Sequence, residues 1–275
     1  MSVSGSHFHH LSSTGVSGSA LSGSVTANLF NNLSSGIYLS GQIEAAGNTV
    51  TDFSSIGIFG NSIGVVVRNN TVTRGTTSNT TGIDVWSGGG NAFGNTVSLT
   101  ATGIRTYGGI VANNRVFGNS VAGISGLNAV VRNNTIYSNG VGIDLTSNGP
   151  DNVVVGNLVY ANTSGGIRMS TNSGSTSLQV VENNTIYQSG AAAVAVSQVQ
   201  NTIIRNNILW VDGAAGVAIS VAADSQRGFI SNYNGVYLTG GGKFGQWQGI
   251  SATGWCDWTF ATGGDRNSRT GNPLV

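Results

Sequence analysis

Apolar residues along the chain fall in short Val/Ile-rich clusters separated by Gly, Asn, Ser and Thr, with no helix-forming runs between them. Two anchors repeat together. A Gly followed by Ile stands at Gly36, Gly57, Gly82, Gly103, Gly123, Gly142 and Gly166, in steps of 21, 25, 21, 20, 19 and 24 residues. An Asn ahead of a β-type segment stands at Asn48, Asn70, Asn95, Asn114, Asn134, Asn157, Asn184 and Asn207, and degenerate copies extend outward to Asn28 and Asn232. Such a period, carried by strands, predicts a solenoid in which each repeat stacks on the next.

Each unit reads as three short strands, exemplified by Gly142 to Leu145, Val153 to Val155 and Leu158 to Tyr160. Alternation on the first turns Ile143 and Leu145 inward and Asp144 outward. Gly and Asn tolerate the left-handed backbone that corners need, so the recurring Asn is expected at one corner, its amide hydrogen-bonded from coil to coil. At ~4.8 Å per coil, about ten coils make a rod on the order of 50 Å long.

Composition narrows the partners. The 275 residues include 43 Gly and only 2 Pro, and 8% are charged, so polarity comes from Asn, Ser and Thr. A hydrophobic content of 39% suffices for an ordered core. The net charge of +1, with no basic or acidic run, offers no footprint for a phosphate backbone, and nucleic acid is not expected as a partner. No apolar stretch approaches ~20 residues, so no membrane insertion is expected. The N-terminus lacks a basic-then-apolar leader, which suggests a module excised from a larger secreted or cell-surface protein with further coils or domains. Cys256, the lone cysteine, reads as a small buried thiol. His7 and His9 share one side of a strand, with His10 beside them, but in a Ser/Gly-rich end expected to fray; no metal or other cofactor is expected.

The stretch Val131-Arg132-Asn133-Asn134-Thr135-Ile136-Tyr137, a short turn, then Gly142-Ile143 resembles the repeats of the pectate-lyase-like right-handed β-helix superfamily over residues 18 to 238. The fold class expected is therefore all-β, a single-stranded right-handed parallel β-helix of about ten coils with a Trp-rich C-terminal cap. Residues 1–17 form an N-terminal segment or frayed first coil, 18–238 the helix, and 239–275 the closing segment. Phe244, Trp247, Trp255, Trp258 and Phe260 fall in that segment, which is similar to the C-terminal closure of many secreted β-helix proteins, including a final proline-leucine strand at Pro273-Leu274.

The resemblance implies that substrates lie on the sheet beginning at the Gly-Ile anchor. Outward positions there are Tyr38, Phe59, Asp84, Arg105, Ser125, Asp144 and Arg168, and two residues further Ser40, Asn61, Trp86, Tyr107, Leu127, Thr146 and Ser170. Four scarce charges share the first column. The candidate binding residues are Tyr38, Phe59, Asp84, Trp86, Arg105, Tyr107, Asp144 and Arg168, with Asp84, Arg105, Asp144 and Arg168 the candidates for any catalysis. The functional reading is a polysaccharide groove; the alternative is cross-strand ion pairs contributing ~0 to 1 kcal/mol each. Lyases of the superfamily imply a calcium-binding carboxylate cluster, and glycosidases need close carboxylates, whereas Asp84 and Asp144 are three coils, roughly 15 Å, apart. Asp151 reads as a turn residue, and Arg68, Arg132, Glu182 and Arg205 as solvated surface. A second outward column, Phe117, Tyr137, Tyr160, Tyr187 and Trp210, follows the Asn anchor by three residues and reads as a ring ladder or an interface. Thr146 to Asn152 and Ser170 to Ser177 are the longest loops available as groove walls. Three functions stay open: a non-catalytic glycan-binding module, a structural or adhesive rod, and an atypical polysaccharide lyase or glycoside hydrolase.

Overall fold

The computed structural model of the chain describes every residue except 87–88, 150, 172–175 and 274–275. Three short strands make each turn, and each strand lies parallel to its equivalent one repeat away. On the Gly-Ile face, Thr81–Val85, Thr102–Tyr107, Ala122–Leu127, Val141–Ser147 and Gly165–Thr171 pair so that Ile83, Ile104, Ile124, Ile143 and Ile167 stand side by side. Ile110–Ala112, Val130–Arg132, Asn152–Val155 and Gln179–Glu182 build the second face. Arg115–Phe117, Thr135–Tyr137, Leu158–Tyr160 and Thr185–Ser189 build the third. The result is a parallel β-solenoid of about ten turns, as the repeat predicts.

Inward positions are apolar and sealed on all three faces, as at Ile104, Val111 and Val116 in one coil and Ile143, Val154 and Val159 in another. Burying each such side chain stabilises the rod by about 1.5–3 kcal/mol. The glycine of the Gly-Ile anchor is dictated by space, not by a left-handed φ, which none of the seven adopts. A Cβ on Gly103 would lie 2.5 Å from the Gly123 carbonyl oxygen and 2.5 Å from a Val116 methyl. Left-handed backbone falls instead on the residue just before each corner Asn, for example Gly94, Asn113, Asn133 and Gly156.

The corner asparagines form a buried ladder. Asn134 Oδ1 accepts the backbone N–H and the side-chain amide of Asn114 at 2.8 and 3.0 Å. Its own Nδ2 donates to the carbonyls of Val111 and Arg132 and to Asn157 Oδ1, at 2.9, 3.0 and 3.0 Å. The same relay links Asn28, Asn48, Asn70, Asn95, Asn114, Asn134, Asn157, Asn184, Asn207 and Asn234. The last member is Asn234, not the expected Asn232, whose Oδ1 accepts the N–H groups of Tyr233 and Asn267. A shorter buried ladder runs through Asn119, Asn139 and Asn162.

At the start, Ser2–Ser4 pairs with Ser24–Thr26, and His7–Thr26 with Leu29–Ala46, so the residues set apart as 1–17 run on into the first coil. At the far end, Lys243–Trp247 is one more rung, parallel to Val217–Val221. Ile250–Ala252 then returns antiparallel, and the helix Trp255–Thr262 lays Trp258 over the open core. Gly245 makes room for it, since a Cβ there would meet the indole at 2.1 Å. Asp265 accepts from Trp258 Nε1 at 2.7 Å and from Asn234 Nδ2 at 3.0 Å, which fastens the cap to the ladder. Cys256, expected to be buried, is exposed, because only the Trp258 side of the helix meets the core. Leu274, in the expected closing strand, lies outside the described residues.

Asn134→Ala strands buried donors and acceptors on both neighbouring coils and should destabilise the chain by about 3 kcal/mol in urea denaturation. Trp258→Ala reopens the core end and should cost about 3–5 kcal/mol in the same measurement.

Candidate functional site

The outward residues of the Gly-Ile face form the column that alternation predicts. Tyr38 lies beside Phe59, Phe59 beside Asp84, Asp84 beside Arg105, and Arg105 beside Ser125. Ser125 then neighbours Asp144, and Asp144 neighbours Arg168. Tyr107, Leu127, Thr146 and Ser170 line up in the second column, where Leu127 is buried.

Aromatic rings dominate one end. The centroids of Tyr38 and Phe59 are 4.8 Å apart with planes tilted by 34°, and those of Trp86 and Tyr107 are 5.8 Å apart at 33°. The tilt keeps the rings from covering one another fully, and Tyr38 and Tyr107 are 38% and 40% exposed. Arg105 places its guanidinium 5.4 Å from the Trp86 ring centre while donating to Asp84 through Nε and Nη2. Asp84 corrects the expectation of an outward carboxylate offered to a ligand, because its side chain is fully buried. One oxygen accepts the Trp86 N–H at 3.0 Å and the other Arg105, so Asp84 anchors its neighbours from beneath.

Asp144 and Arg168 meet at 3.2 Å with both side chains partly exposed. Burial pushes the Asp144 carboxyl above its ordinary value, outweighing the attraction of Arg168. Arg68 pairs with Glu44 and Arg205 with Glu182 at the surface, while Asp151 accepts the Leu178 N–H at 2.9 Å. On the strand His7–Thr26, the rings of His7 and His9 are 4.9 Å apart and Nδ1 of His9 is 2.9 Å from Nδ1 of His10. Among the described residues no three His, Cys, Asp or Glu side chains gather as a metal-holding group. The two loops named as groove walls contain residues 150 and 172–175, which lie outside the described residues.

The ring ladder on the third face is present and longer than expected. Phe117 and Tyr137 stack at 5.0 Å and 2°, and Tyr137 and Tyr160 at 4.9 Å and 6°. Tyr160 pairs with Tyr187 in register, Tyr187 meets Trp210 at 4.8 Å, and Trp210 meets Tyr237 at 5.4 Å. Tyr237 stands five residues after Asn232 and so falls outside the expected ladder. Counted from Asn234, it sits at the same offset of three as every other ring.

A parallel β-solenoid with aromatic and charged columns on its outer faces is the class that these observations define. The chain belongs to the right-handed β-helix region family, whose model matches residues 107–248. Among solved structures it is similar to the Dettilon tailspike protein, with a TM-score of 0.66 and 16% identity over 98% of this chain. The chain spans 62% of that tailspike. It also aligns with the A-module of the mannuronan C-5 epimerase of Azotobacter vinelandii, at a TM-score of 0.43 and 13% identity, covering 92% of this chain and 91% of that module. No curated protein matches the sequence. Among the described residues no helix is long and apolar enough to cross a membrane.

The raised Asp144 carboxyl carries a sign. The folded chain holds this proton more tightly than the unfolded one, so stability falls as pH rises from the ordinary value of 3.8 through the folded value. Denaturation curves of wild type and Asp144→Asn should therefore diverge in the variant's favour as pH rises across that window. A difference that stays constant with pH would contradict the assignment.

Proposed function

We propose that this chain is an extracellular module that holds an extended polysaccharide along its Gly-Ile face without turning it over. The observation that carries the proposal is the run Tyr38, Phe59, Trp86 and Tyr107, whose rings are tilted and part-exposed, with Arg105 lying against Trp86. The C–H faces of sugars pack on such rings, and Nη1 of Arg105 is free of Asp84 to meet a hydroxyl or carboxylate. Asp144 and Arg168 continue the same column and supply further polar groups along the rod axis. A binding role fits better than hydrolysis because Asp84 is closed off by Arg105 and stands three strand spacings, roughly 15 Å, from Asp144.

The reading as a structural rod has its own support. The rings from Phe117 to Tyr160 face one another, and so serve the stack before any ligand.

In affinity electrophoresis against neutral and uronate polysaccharides, wild type should be retarded, and Trp86→Ala and Arg105→Ala should each weaken binding roughly tenfold, about 1.4 kcal/mol. Absence of retention, or retention untouched in the double variant, rejects the glycan reading. Release of new reducing or unsaturated ends would replace it with an enzymatic one.

A further inference from the structure

The residue before each ladder Asn is held at a φ between 54° and 68°: Ala27, Gly47, Asn69, Gly94, Asn113, Asn133, Gly156, Asn183, Asn206 and Tyr233. Eight of these ten are Gly or Asn, the residues that accept left-handed backbone most readily. Tyr233 is the bulky exception. Core packing does not account for it, since the residue is 58% exposed. Leu99, 53% exposed at a φ of 56°, and Arg74, at 60°, are held the same way elsewhere in the rod, and what sets Tyr233 apart is the cleft beside it.

Tyr233 lines an open cleft of about 510 Å³ together with Asn234, Gly235, Asn267 and Arg269. Arg269 is exposed and, among the described residues, makes no ion pair. Asn267 is shared with an adjoining cleft of about 270 Å³ that Asn232 and Arg266 also line. An exposed ring, the Arg269 guanidinium and the Asn267 amide thus line one cleft at the last corner of the rod, with Arg266 in the cleft adjoining it.

We infer that the Tyr233–Arg269 cleft is a second binding site, which takes a carboxylate-bearing sugar of an acidic glycan. The guanidinium fork matches a carboxylate in two-pronged fashion, the phenol ring supplies a platform for the C–H face of the sugar, and Asn267 meets a hydroxyl. This site does not depend on the Gly-Ile face binding anything.

The test uses trigalacturonate as the probe and maltotriose and inorganic phosphate as controls, with binding read by saturation-transfer NMR and titration calorimetry. Wild type should bind trigalacturonate in preference to maltotriose. In the Trp86→Ala/Arg105→Ala background, Tyr233→Asn and Tyr233→Gly should weaken that binding at least tenfold yet raise Tm, because they install the residue that other corners carry. Arg269→Gln should abolish the preference for the acidic sugar, and the Trp86→Ala/Arg105→Ala variant should bind trigalacturonate at this site as wild type does. The inference is overturned by absence of saturable binding, by undiminished binding in the Tyr233 variants, or by a lower Tm in both of them. Phosphate competing as well as the sugar acid, or loss of all binding in the Trp86/Arg105 variant, overturns it equally.

Discussion

The structure depends on the hydrogen-bond relay through the corner asparagines. Each Oδ1 accepts the backbone N–H and side-chain amide of the Asn one coil earlier, while Nδ2 reaches carbonyls of its own and the preceding coil. A one-residue slip would leave these buried groups without partners, so the relay fixes the register that backbone pairing alone leaves less specified. Fixed register makes equivalent side chains of successive coils into neighbours. The apolar core and every outer column follow from that.

The relay has a direction, and the direction explains the closing segment. Each Asn passes two donors forward to the next, so the last needs acceptors that no further coil supplies. Asn234 gives its Nδ2 to Asp265 and its backbone N–H to Ser268, both from the segment that also inserts Trp258 over the core. One short stretch therefore meets both the polar and the apolar requirement of a rod end. At the other end Asn28 receives the Ser6 N–H and donates to the Val3 carbonyl, closing the relay on the first coil.

The same stacking gives different outer columns different chemistry. Rings brought together at coil spacing and nearly coplanar, as at Phe117, Tyr137 and Tyr160, cover each other's faces and show solvent mainly their edges. Tilted pairs, as at Trp86 and Tyr107, leave face area open. Charges at the same spacing pair off, and among the described residues five acid–arginine pairs, from Glu44–Arg68 to Glu182–Arg205, bridge neighbouring coils. Among the described residues Arg269 is one of several cations, with Arg132, Arg227, Lys243 and Arg266, that make no ion pair.

The sequence alone determined the solenoid, the three-strand unit, the inward and outward parity, and the pairing of Asp84 with Arg105 and of Asp144 with Arg168. These are periodic properties, and a period of about one coil converts directly into neighbourhood through the stacking distance. Tertiary structure decided what periodicity does not encode. Asp84 has outward parity yet is buried, because Trp86 and Arg105 close over it. The anchor glycines answer to the approach of the next coil's carbonyl. The place of Tyr233 depends on Asn234 being the last rung, and the cleft it shares with Asn267 and Arg269 joins residues more than thirty positions apart, brought together by a closing segment that lies outside the repeat.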